Sequence, residues 1–291
     1  MIMTDFIKLH QKHFNFKQFI TNAFIEDVGN GDHTSLSTIP KNHKGKMHLL
    51  VKEDGIIAGV DAAEKIFRQV DMNFKLKVLI TDGTRVKKGD VVFIIEGNTQ
   101  KLLTAERLVL NIMQRMSGIA TKTNYLQNLC KHTKALVIDT RKTTPGFRFF
   151  EKWAVIIGGG ANHRYGLFDM ILIKDNHIDF AGGVTEAIDA ANSYLKKTNK
   201  KLAIEVETRS LTDVKKVLLH GGVQRIMLDN YTPQQTLQAV KLINGKFETE
   251  SSGGITEKNI LEYAKCGVDF ISIGALTHHI KSLDLSLKAI R

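Results

Sequence analysis

GGGANHRYGLFDMILIKDNH, residues 158–177, places a glycine-rich turn, an apolar strand and a charged segment in direct succession. The strand pattern at 170–173 ends at Lys174, and Asp175, Asn176 and His177 follow at once. The upstream stretch DTRKTTPG, residues 139–146, follows the apolar run 136–138 in the same way. Charged loops directly after apolar strands are typical of functional loops on a parallel α/β scaffold.

Cationic side chains are concentrated in these two stretches and in the connection between them. Arginine offers a planar fork of donors to carboxylate or phosphate, and lysine offers a compact point charge. A solvated basic surface is the alternative interpretation for any single one of them. The whole set lies beside three glycines and at strand ends, and therefore predicts a pocket for a small, densely anionic substrate. The set consists of Arg141, Lys142, Arg148, Lys152, His163, Arg164 and Lys174.

The second half of the chain alternates apolar strand patterns with helical ones. Helical spacing fills the gaps at 184–196, 211–219, 233–243 and 256–266. Alternating strands and helices favour parallel pairing with right-handed crossovers, so six such units predict a (β/α) barrel, complete or open-sided. The predicted strands are 136–138, 170–173, 202–206, 225–228, 247–249 and 270–273.

Each predicted strand leads into a charged or glycine-rich segment. In barrel enzymes the working residues lie on the rim formed by the carboxyl ends of the strands. A structural protein would not need such a rim, so the pattern indicates an enzyme. In strand order, the rim residues are Asp139 and Arg141, Lys174, Glu205 and Glu207, Asp229 and Asn230, residues 250–254 (ESSGG), and Gly274.

Two glycine-containing segments near the last strands predict a phosphate site. SSGG, residues 251–254, leads into a helix predicted to begin near Thr256, and GALT, residues 274–277, follows the next strand. Glycine lets the backbone approach a ligand, and a helix N-terminus supplies free N–H groups. An ordinary flexible turn is the alternative for SSGG, but its place beside the last two strands favours phosphate.

Two acidic residues, Glu207 and Asp229, stand at the ends of adjacent predicted strands. Mg²⁺ is often held by one or two carboxylates together with substrate phosphates, so this pair predicts a magnesium site. The alternative is that both carboxylates pair with rim lysines or arginines. A pocket of cations, a phosphate site and a metal together suit the transfer of a phosphorylated group to an anionic acceptor.

The first hundred residues mix short strands and turns and hold little that predicts catalysis. A long helix is predicted to begin near Thr104, which places Arg107 close to its start, where a plain surface arginine is the alternative. A polar loop carries Asp27, Asp32 and His33. These three could hold a metal, but a turn with local side-chain hydrogen bonds is favoured.

Composition restricts the class of protein. The 291 residues are 43% hydrophobic and 24% charged, which allows a sizeable core, and the two cysteines, Cys130 and Cys266, lie in no CxxC pair. Residues 1–14 lack a signal-peptide core, and no apolar run is long enough for a membrane span. These features predict a reduced, cytoplasmic protein that does not bind membranes.

The net charge of +11 admits nucleic acid or small anions as partners. The lysines are scattered rather than gathered in one stripe, and only 7% of the residues are aromatic, whereas stacking platforms for bases need aromatics among basic clusters. The charge therefore favours small anionic ligands over nucleic acid.

The motifs resemble those of the quinolinate phosphoribosyltransferase family, the decarboxylating nicotinate-nucleotide pyrophosphorylases. The similarity extends over nearly all of the chain beyond about residue 25, with no departure at a motif position. It is carried by EDVGNGDHTS at 26–35, AERLVLNIMQRMSGIAT at 105–121, DTRKTTPGFRFFEKWAV at 139–155, the 158–177 stretch, EVET at 205–208, MLDN at 227–230, ESSGGIT at 250–256 and GVDFISIGALTH at 267–278.

The resemblance implies a fold and a reaction. The fold is an α/β sandwich domain over residues 1–115 and an open-faced (β/α) barrel of fewer than eight strands over 116–291, with the C-terminal tail packing back on the first domain. The reaction converts quinolinate and phosphoribosyl pyrophosphate to nicotinate mononucleotide, pyrophosphate and carbon dioxide, with Mg²⁺, in de novo NAD biosynthesis. The minimal active unit is a homodimer.

The resemblance also implies roles for individual residues. Arg141, His163 and Arg164 hold the quinolinate carboxylates, with Lys142 and Lys174 beside them, and Arg107 reaches in from the neighbouring subunit. Glu207 and Asp229 lie near the ribose and the metal. The 5′-phosphate site is lined by Ser252, Gly253, Gly274 and His278.

Two alternative functions remain open on the sequence alone. A related phosphoribosyltransferase that uses another acid would share the barrel but alter the cations that bind the carboxylates. A basic nucleic-acid-binding module would instead show steep salt dependence of oligonucleotide binding.

Overall fold

The structure is a computed structural model that describes Phe6, His10 and residues 12–290. The prediction that residues 1–14 lack a signal peptide concerns in part residues that lie outside this description. The chain divides into two compact units. Unit 1 contains the described residues up to Asn124, the segment Thr144–Gly159 and the described residues from His279 onward. Unit 2 contains Tyr125–Thr143 and Gly160–His278.

Unit 1 is built on a four-stranded antiparallel sheet of order β12-β1-β5-β3. Along β1, Met47, Leu49 and Val51 are buried at every second position, which is the period of a strand with one face on a core. The strands are β1 (Lys44–Val51), β2 (Gly55–Ile56), β3 (Lys75–Val78), β4 (Arg85–Val86), β5 (Val91–Asn98) and β12 (Leu285–Ile290), of which β2 and β4 form a separate pair.

Helix α4 is the longest described helix of the chain, and it begins earlier than the sequence predicted. Its N-terminus lies at Thr99 rather than near Thr104, directly after β5. The Asn98 Oδ1 atom accepts the Lys101 N–H at 3.1 Å, so Asn98 satisfies one of the free amides of the first turn. Within residues 12–290, the helices that lie in unit 1 are α1 (Phe16–Val28), α2 (His33–Thr38), α3 (Val60–Val70), α4 (Thr99–Leu129), whose residues from Tyr125 onward belong to unit 2, and α5 (Arg148–Ile157).

Helix α5 corrects the predicted cation pocket. Arg148 and Lys152 were expected in that pocket, but both lie on α5 in unit 1. The helix buries Phe149, Phe150 and Trp153, and the Phe149 ring stacks on Phe14 with the centroids 4.3 Å apart. The aromatic burial fixes the orientation of α5, and Lys152 is fully buried with it.

Unit 2 is a six-stranded, entirely parallel sheet of order β6-β11-β10-β9-β8-β7. A single parallel bridge joins Ile138 of β6 to Ala161. The strands alternate with helices as predicted, so the α/β class with an N-terminal sheet domain and a parallel barrel-like sheet of fewer than eight strands is confirmed. The strands are β6 (Leu136–Ile138), β7 (Ile171–Ile173), β8 (Ile204–Thr208), β9 (Arg225–Asp229), β10 (Glu248–Ser252) and β11 (Phe270–Ser272).

One helix of unit 2 begins later than predicted. The pattern at 256–266 yields a helix only from Ile260, because the Thr256 N–H bonds to the Asn259 Oδ1 atom at 2.7 Å in the turn that precedes it. The helices are α6 (Asp175–Ala181), α7 (Val184–Thr198), α8 (Leu211–His220), α9 (Pro233–Ile243), α10 (Ile260–Lys265) and α11 (Ala275–His278).

Each unit is built from more than one segment of the chain. The boundary predicted between residues 115 and 116 lies inside α4, and the C-terminal strand β12 pairs antiparallel with β1, with Leu287 opposite Leu49. In the described part of the chain, no helix is both long and apolar enough to cross a bilayer.

Candidate active site

Unit 2 contains a cavity of about 810 Å³ at the carboxyl ends of its strands. Because all six strands are parallel, every strand delivers its last residues to this one edge. The structure brings together eleven of the twelve predicted site residues there: Arg141, Lys142, His163, Arg164, Lys174, Glu207, Asp229, Ser252, Gly253, Gly274 and His278. The twelfth, Arg107, lies in unit 1.

In four of the six strands, residues two apart face the cavity together, as the pleat requires. In each of these four, the outer residue is polar or glycine, and the residue two positions before it lines the floor. These pairs are Leu172 and Lys174, Met227 and Asp229, Glu250 and Ser252, and Ser272 and Gly274.

Lys174 and Glu207 form the closest ion pair of the cavity. The Lys174 Nζ atom lies 2.9 Å from Glu207 Oε2, and the lysine side chain is 47% exposed while the glutamate side chain is 7% exposed. The Lys174 backbone N–H donates to His177 Nδ1 at 2.9 Å, which fixes the start of α6. The lysine is therefore anchored at both ends but keeps a face toward the cavity.

Two guanidinium groups, those of Arg141 and Arg164, line the same cavity. Burial, followed by the repulsion of Arg141, lowers the pKa of Arg164. Its Nη1 atom donates to the Met170 carbonyl at 3.2 Å, so part of the fork is held by the backbone. Two close cations raise the electrostatic potential of the cavity, which favours a ligand with two negative charges.

His163 lies between the cavity and a buried acidic pair. Its backbone N–H donates to Asp139 Oδ1 at 2.9 Å, and its Nδ1 atom accepts the Arg164 N–H at 2.6 Å. Its Nε2 atom lies 3.1 Å from Glu205 Oε2 and 3.6 Å from Glu250 Oε2. Both ring nitrogens therefore face protein groups.

The two acids beneath His163 are fully buried. Burial, with the repulsion of Glu205, raises the pKa of Glu250 to about 8, and burial also raises the pKa of Glu205. The Arg225 guanidinium lies 3.3 Å from Glu250 Oε2 and compensates part of this charge. With His163, the two acids form the one group of three or more histidine, cysteine or acidic side chains in the described residues whose ligand atoms lie close enough to share a metal ion.

Asn230 connects the acidic side of the cavity to the glycine segment. It adopts a left-handed backbone with φ of 56°, and its Nδ2 atom donates to Asp229 Oδ2 at 2.6 Å. Its backbone N–H donates to the Ser252 carbonyl at 2.9 Å. A Cβ atom at Gly253 would lie 2.1 Å from the Asn230 Oδ1 atom, so only glycine fits there.

Gly274 is a second glycine whose backbone lies close to other side chains. A Cβ atom at this position would lie 2.9 Å from His278 Nε2 and 3.0 Å from Lys142 Cδ. The Thr277 hydroxyl donates to the Lys142 carbonyl at 2.7 Å, which ties α11 to the loop after β6. The missing side chain thus lets a lysine and a histidine come close to the backbone at the cavity wall.

Glu207 and Asp229 suit Mg²⁺ as a donor set, because both are carboxylates that face one cavity. One oxygen of each is already bonded, in Glu207 to Lys174 and in Asp229 to Asn230. Each carboxylate has a second oxygen, and Mg²⁺ usually completes its coordination with water and substrate phosphate.

Arg107 lines a separate cavity of about 320 Å³ in unit 1, together with Asp27, Asp32 and His33. Asp32 is the N-cap of α2: its carboxylate accepts the Ser35 N–H at 3.0 Å and the Ser35 hydroxyl at 2.6 Å. These hydrogen bonds are the local turn contacts that the sequence favoured over a metal site.

Models of two protein domains match the chain. Residues 32–117 match the quinolinate phosphoribosyl transferase N-terminal domain, and residues 119–288 match the C-terminal domain of the same enzyme. The chain belongs to the quinolinate phosphoribosyltransferase family. The resemblance seen in the sequence motifs is thereby confirmed.

Individual members of the family align over almost the whole chain. The nicotinate-nucleotide pyrophosphorylase (carboxylating), chloroplastic, of Arabidopsis thaliana is 46% identical over 290 positions, which cover 94% of this chain and 83% of that protein. The mitochondrial quinolinate phosphoribosyltransferase (decarboxylating) 2b of Nicotiana tabacum is 45% identical with coverage of 94% and 82%.

Solved structures of family members have the same fold. NadC from Streptococcus pyogenes superposes with a TM-score of 0.89 at 37% identity and covers 95% of this chain and 97% of its own. The nicotinate-nucleotide pyrophosphorylase from Francisella tularensis gives a TM-score of 0.88 at 38% identity, with coverage of 94% and 96%.

Sequence reasoning named the cavity-lining residues of this family member but gave no role to Asn230 or to the buried acids Glu205 and Glu250. Asn230 carried one signal: asparagine is the non-glycine residue that most readily adopts a left-handed backbone at the end of a strand. Glu205 carried another, because it is the one charged residue in the predicted strand 202–206, LAIEV. A charge at such a position needs a partner, and the strand pattern alone does not say which one.

Proposed function

We propose that this chain catalyses the family reaction: quinolinate and phosphoribosyl pyrophosphate give nicotinate mononucleotide, pyrophosphate and carbon dioxide, in de novo NAD biosynthesis. The observation that carries the proposal is one cavity that combines the guanidinium and ammonium groups of Arg141, Arg164, Lys142 and Lys174 with two carboxylates and two glycine backbones. Such a cavity suits a dianionic acceptor and a phosphorylated donor at the same time.

Quinolinate recognition is assigned to Arg141 and Arg164. Each guanidinium can bind a carboxylate through two parallel hydrogen bonds, and quinolinate presents two carboxylates on adjacent ring carbons. Burial lowers the pKa of Arg164, and the charge of Arg141 lowers it further, so the two cations repel each other when no anion is bound. A dianion relieves this repulsion, which is the source of the preference for quinolinate over a monocarboxylate.

Transfer requires the pyridine nitrogen to bond to C1′ of the ribose while the bond from C1′ to pyrophosphate breaks. Positive charge develops on the ribose as pyrophosphate leaves. Stabilisation of that charge is assigned to the Glu207 and Asp229 carboxylates, which line the cavity, and Asn230 donates a hydrogen bond to the Asp229 carboxylate. Lys142 and Lys174 stabilise the negative charge of the departing group.

Decarboxylation follows transfer. The carboxylate next to the ring nitrogen leaves as carbon dioxide, and the electron pair stays on that ring carbon, where the adjacent pyridinium nitrogen stabilises it until a proton is taken up. The protein contributes by holding the ring in position and by excluding water from the reacting face.

The 5′-phosphate is assigned to the wall formed by Ser252, Gly253, Gly274 and His278. Glycine at 253 and 274 lets phosphate oxygens approach backbone N–H groups, and the Ser252 hydroxyl and His278 ring offer further donors. This wall lies at the ends of β10 and β11, the late-strand position that commonly binds phosphate in barrel enzymes.

Mg²⁺ is proposed as the cofactor, held by Glu207 and Asp229. When bound, it would neutralise the charge of the pyrophosphate group as that group departs. Orientation of the two carboxylates comes from the chain itself, through Lys174 on one side and Asn230 on the other.

Arg107 is proposed to complete the active site of a second subunit in a homodimer. Its support is the family resemblance, together with the fact that Arg107 does not line the cavity that the other eleven residues share. Arg107→Ala and Lys174→Ala should each be nearly inactive. After subunit exchange, a mixed dimer would contain one site with both defects and one intact site.

Recovery in that mixture should approach about a quarter of the wild-type activity, because random pairing makes about half of the dimers mixed and each has one intact site of two. If Arg107 acts within its own chain, mixing restores nothing. No recovery, with exchange confirmed by mass-tagged subunits, would refute the shared site.

The substrate assignment is tested by comparing kcat/KM for quinolinate and nicotinate. With nicotinate, one cation of the Arg141 and Arg164 pair is left without a carboxylate in a partly buried site, a cost of several kcal/mol that should lower kcat/KM by on the order of 10² or more. Equal values for the two acids would contradict the quinolinate assignment.

Cytoplasmic location remains a prediction from the sequence. The plant relatives are named as chloroplastic or mitochondrial proteins, so members of this family work in more than one compartment.

A further inference from the structure

Asp139 is a fully buried acid that directly follows β6. Its Oδ1 atom accepts the His163 backbone N–H at 2.9 Å, and its Oδ2 atom accepts the Asn162 side-chain amide at 2.6 Å. Burial of a carboxylate is costly unless hydrogen bonds compensate the loss of water, and these two bonds supply part of that compensation. Both partners lie directly before Arg164 in the chain, so the acid is bonded to the segment that carries this arginine.

Asp139 also stands two residues before Arg141. The turn that follows Asp139 is closed by local hydrogen bonds. The Lys142 N–H donates to Thr140 Oγ1 at 3.0 Å, and the Thr143 N–H donates to the Arg141 carbonyl at 2.8 Å. Because the turn is bonded within itself, the place of Arg141 follows from the place of the acid.

Arg164 lies in a second segment, the 161–166 loop. Three glycines precede this loop and impose little on its direction, because glycine adopts many backbone conformations. Backbone pairing joins the start of the loop to β6, where the Ala161 N–H donates to the Val137 carbonyl at 2.9 Å. The Asp139 side chain extends this connection to the residue directly before Arg164. One buried acid thus connects the two segments from which the two arginines reach the cavity.

We propose that Asp139 is a positioning residue that sets the spacing between Arg141 and Arg164, and that this spacing selects an acceptor with carboxylates on adjacent ring carbons. A planar ring holds its two carboxylates at one separation, so two cations match both only if their own separation is fixed. The proposal rests on the proposed function, which assigns the two guanidinium groups to the quinolinate carboxylates. Asp139 acts through the two segments and does not touch the acceptor.

Selectivity between two isomers separates spacing from charge. Removal of the Asp139 carboxylate makes the surroundings more positive, which by charge alone should tighten the binding of every dianion alike. Pyridine-2,4-dicarboxylate has the same two charges as quinolinate, which is pyridine-2,3-dicarboxylate, but its carboxylates are one ring carbon further apart. The ratio of the Ki of the 2,4-isomer to the KM for quinolinate therefore reports the spacing, because an effect of charge alone cancels.

The test measures this ratio by steady-state kinetics at saturating phosphoribosyl pyrophosphate, with the 2,4-isomer as competitor. In the wild type the ratio should be about 30 or more. In Asp139→Ala the KM for quinolinate should rise about tenfold or more, the Ki of the 2,4-isomer should change less than about threefold, and the KM for phosphoribosyl pyrophosphate should stay within about twofold. A ratio that equals that of the wild type would overturn the proposal.

A reciprocal exchange provides the matched control. Asn162→Asp places a second carboxylate at the 2.6 Å contact with Asp139 and should also lower the ratio. Asp139→Asn combined with Asn162→Asp again sets an amide against a carboxylate and keeps an oxygen for the His163 N–H, so the ratio should return to within about threefold of the wild type. An exchange variant as unselective as Asn162→Asp would overturn the proposal. If Asp139→Ala does not fold, this comparison decides alone.

Hydrogen exchange in the ligand-free enzyme separates this proposal from the proposed function. In Asp139→Ala, amide exchange in peptides that cover the 161–166 loop should become about tenfold faster or more, while exchange in α8 stays as in the wild type. Unchanged exchange in the loop would overturn the positioning role. A wild type that releases no pyrophosphate from phosphoribosyl pyrophosphate and quinolinate would instead overturn the proposed function and leave the exchange result intact.

Discussion

Gly253 offers the sharpest perturbation of the phosphate side of the cavity. It follows β10 with φ of 91°, and a Cβ atom there would lie 2.1 Å from Asn230 Oδ1, 2.6 Å from Asn230 Cγ and 2.9 Å from the Asn230 backbone nitrogen. Gly254 is a matched control in the same turn, since its φ is 62° but nothing lies within 4 Å of its Cβ position. The two substitutions to alanine share backbone strain, and only one of them collides with Asn230.

The expected magnitudes follow from that geometry. Left-handed backbone costs an L-residue roughly 1–2 kcal/mol, so both variants should lose about that much stability. In Gly253→Ala, the Asn230 side chain must also retreat by about 1 Å to reach an ordinary contact, and it carries the hydrogen bond to Asp229 with it. A displacement of about 1 Å at a catalytic group can lower the rate on the order of 10²-fold.

Steady-state kinetics with both substrates varied, together with thermal unfolding, provide the assay. Gly254→Ala should lose some Tm and little kcat/KM for phosphoribosyl pyrophosphate. Gly253→Ala should lose more Tm, because the collision with Asn230 adds to the backbone strain, and on the order of 10²-fold in kcat/KM. If the two variants have the same kinetics, the contact between Gly253 and Asn230 does not organise the site, and the reasoning is refuted.

Three further predictions concern charge and metal. Lys174→Ala should fold normally, because it leaves no core cavity, yet lose most of its turnover; near-normal kcat would refute its role. The pKa of Glu250 rises from 4.5 to about 8 on folding, so between these pH values the folded state keeps a proton that the unfolded state releases. The free energy of unfolding therefore falls as the pH rises from 4.5 through about 8. The total fall due to Glu250 is at most about 5 kcal/mol. The Tm of Glu250→Gln should therefore fall less than that of the wild type over this range, and parallel curves would contradict the assignment. Chelation with EDTA should abolish turnover and added Mg²⁺ should restore it, whereas full activity in EDTA would exclude the metal.

The chemistry at strand ends could be predicted from the sequence because the position of a residue in a parallel strand determines which edge of the sheet it reaches. Lys174, Glu207 and Asp229 follow or end apolar runs, and parallel pairing brings all three to one cavity. No knowledge of packing was needed for this prediction.

Helix α5 shows where the sequence was insufficient. Arg148 and Lys152 lie close in sequence to Arg141, and their charge suggested the same pocket. The burial of Phe149, Phe150 and Trp153 decided otherwise, and aromatic packing depends on partners that are distant in the chain.

The hydrogen bonds of Asn230 and His163 could not be predicted, because they depend on which atom donates and which accepts. A motif such as HR or DN gives the residue types but not which ring nitrogen accepts or which amide hydrogen donates. Those choices follow from backbone positions, such as the Arg164 N–H on Nδ1 and the left-handed φ of Asn230.

The central claim, that this cavity transfers a phosphoribosyl group to quinolinate and then releases carbon dioxide, is tested most directly by product stoichiometry. The purified chain is supplied with Mg²⁺, phosphoribosyl pyrophosphate and quinolinate labelled with ¹³C in the carboxylate next to the ring nitrogen. The account predicts nicotinate mononucleotide, pyrophosphate and labelled carbon dioxide in equal amounts, and much less of all three when Lys174→Ala replaces the wild type. A nucleotide that retains both carboxylates, or pyrophosphate release without labelled carbon dioxide, would contradict it.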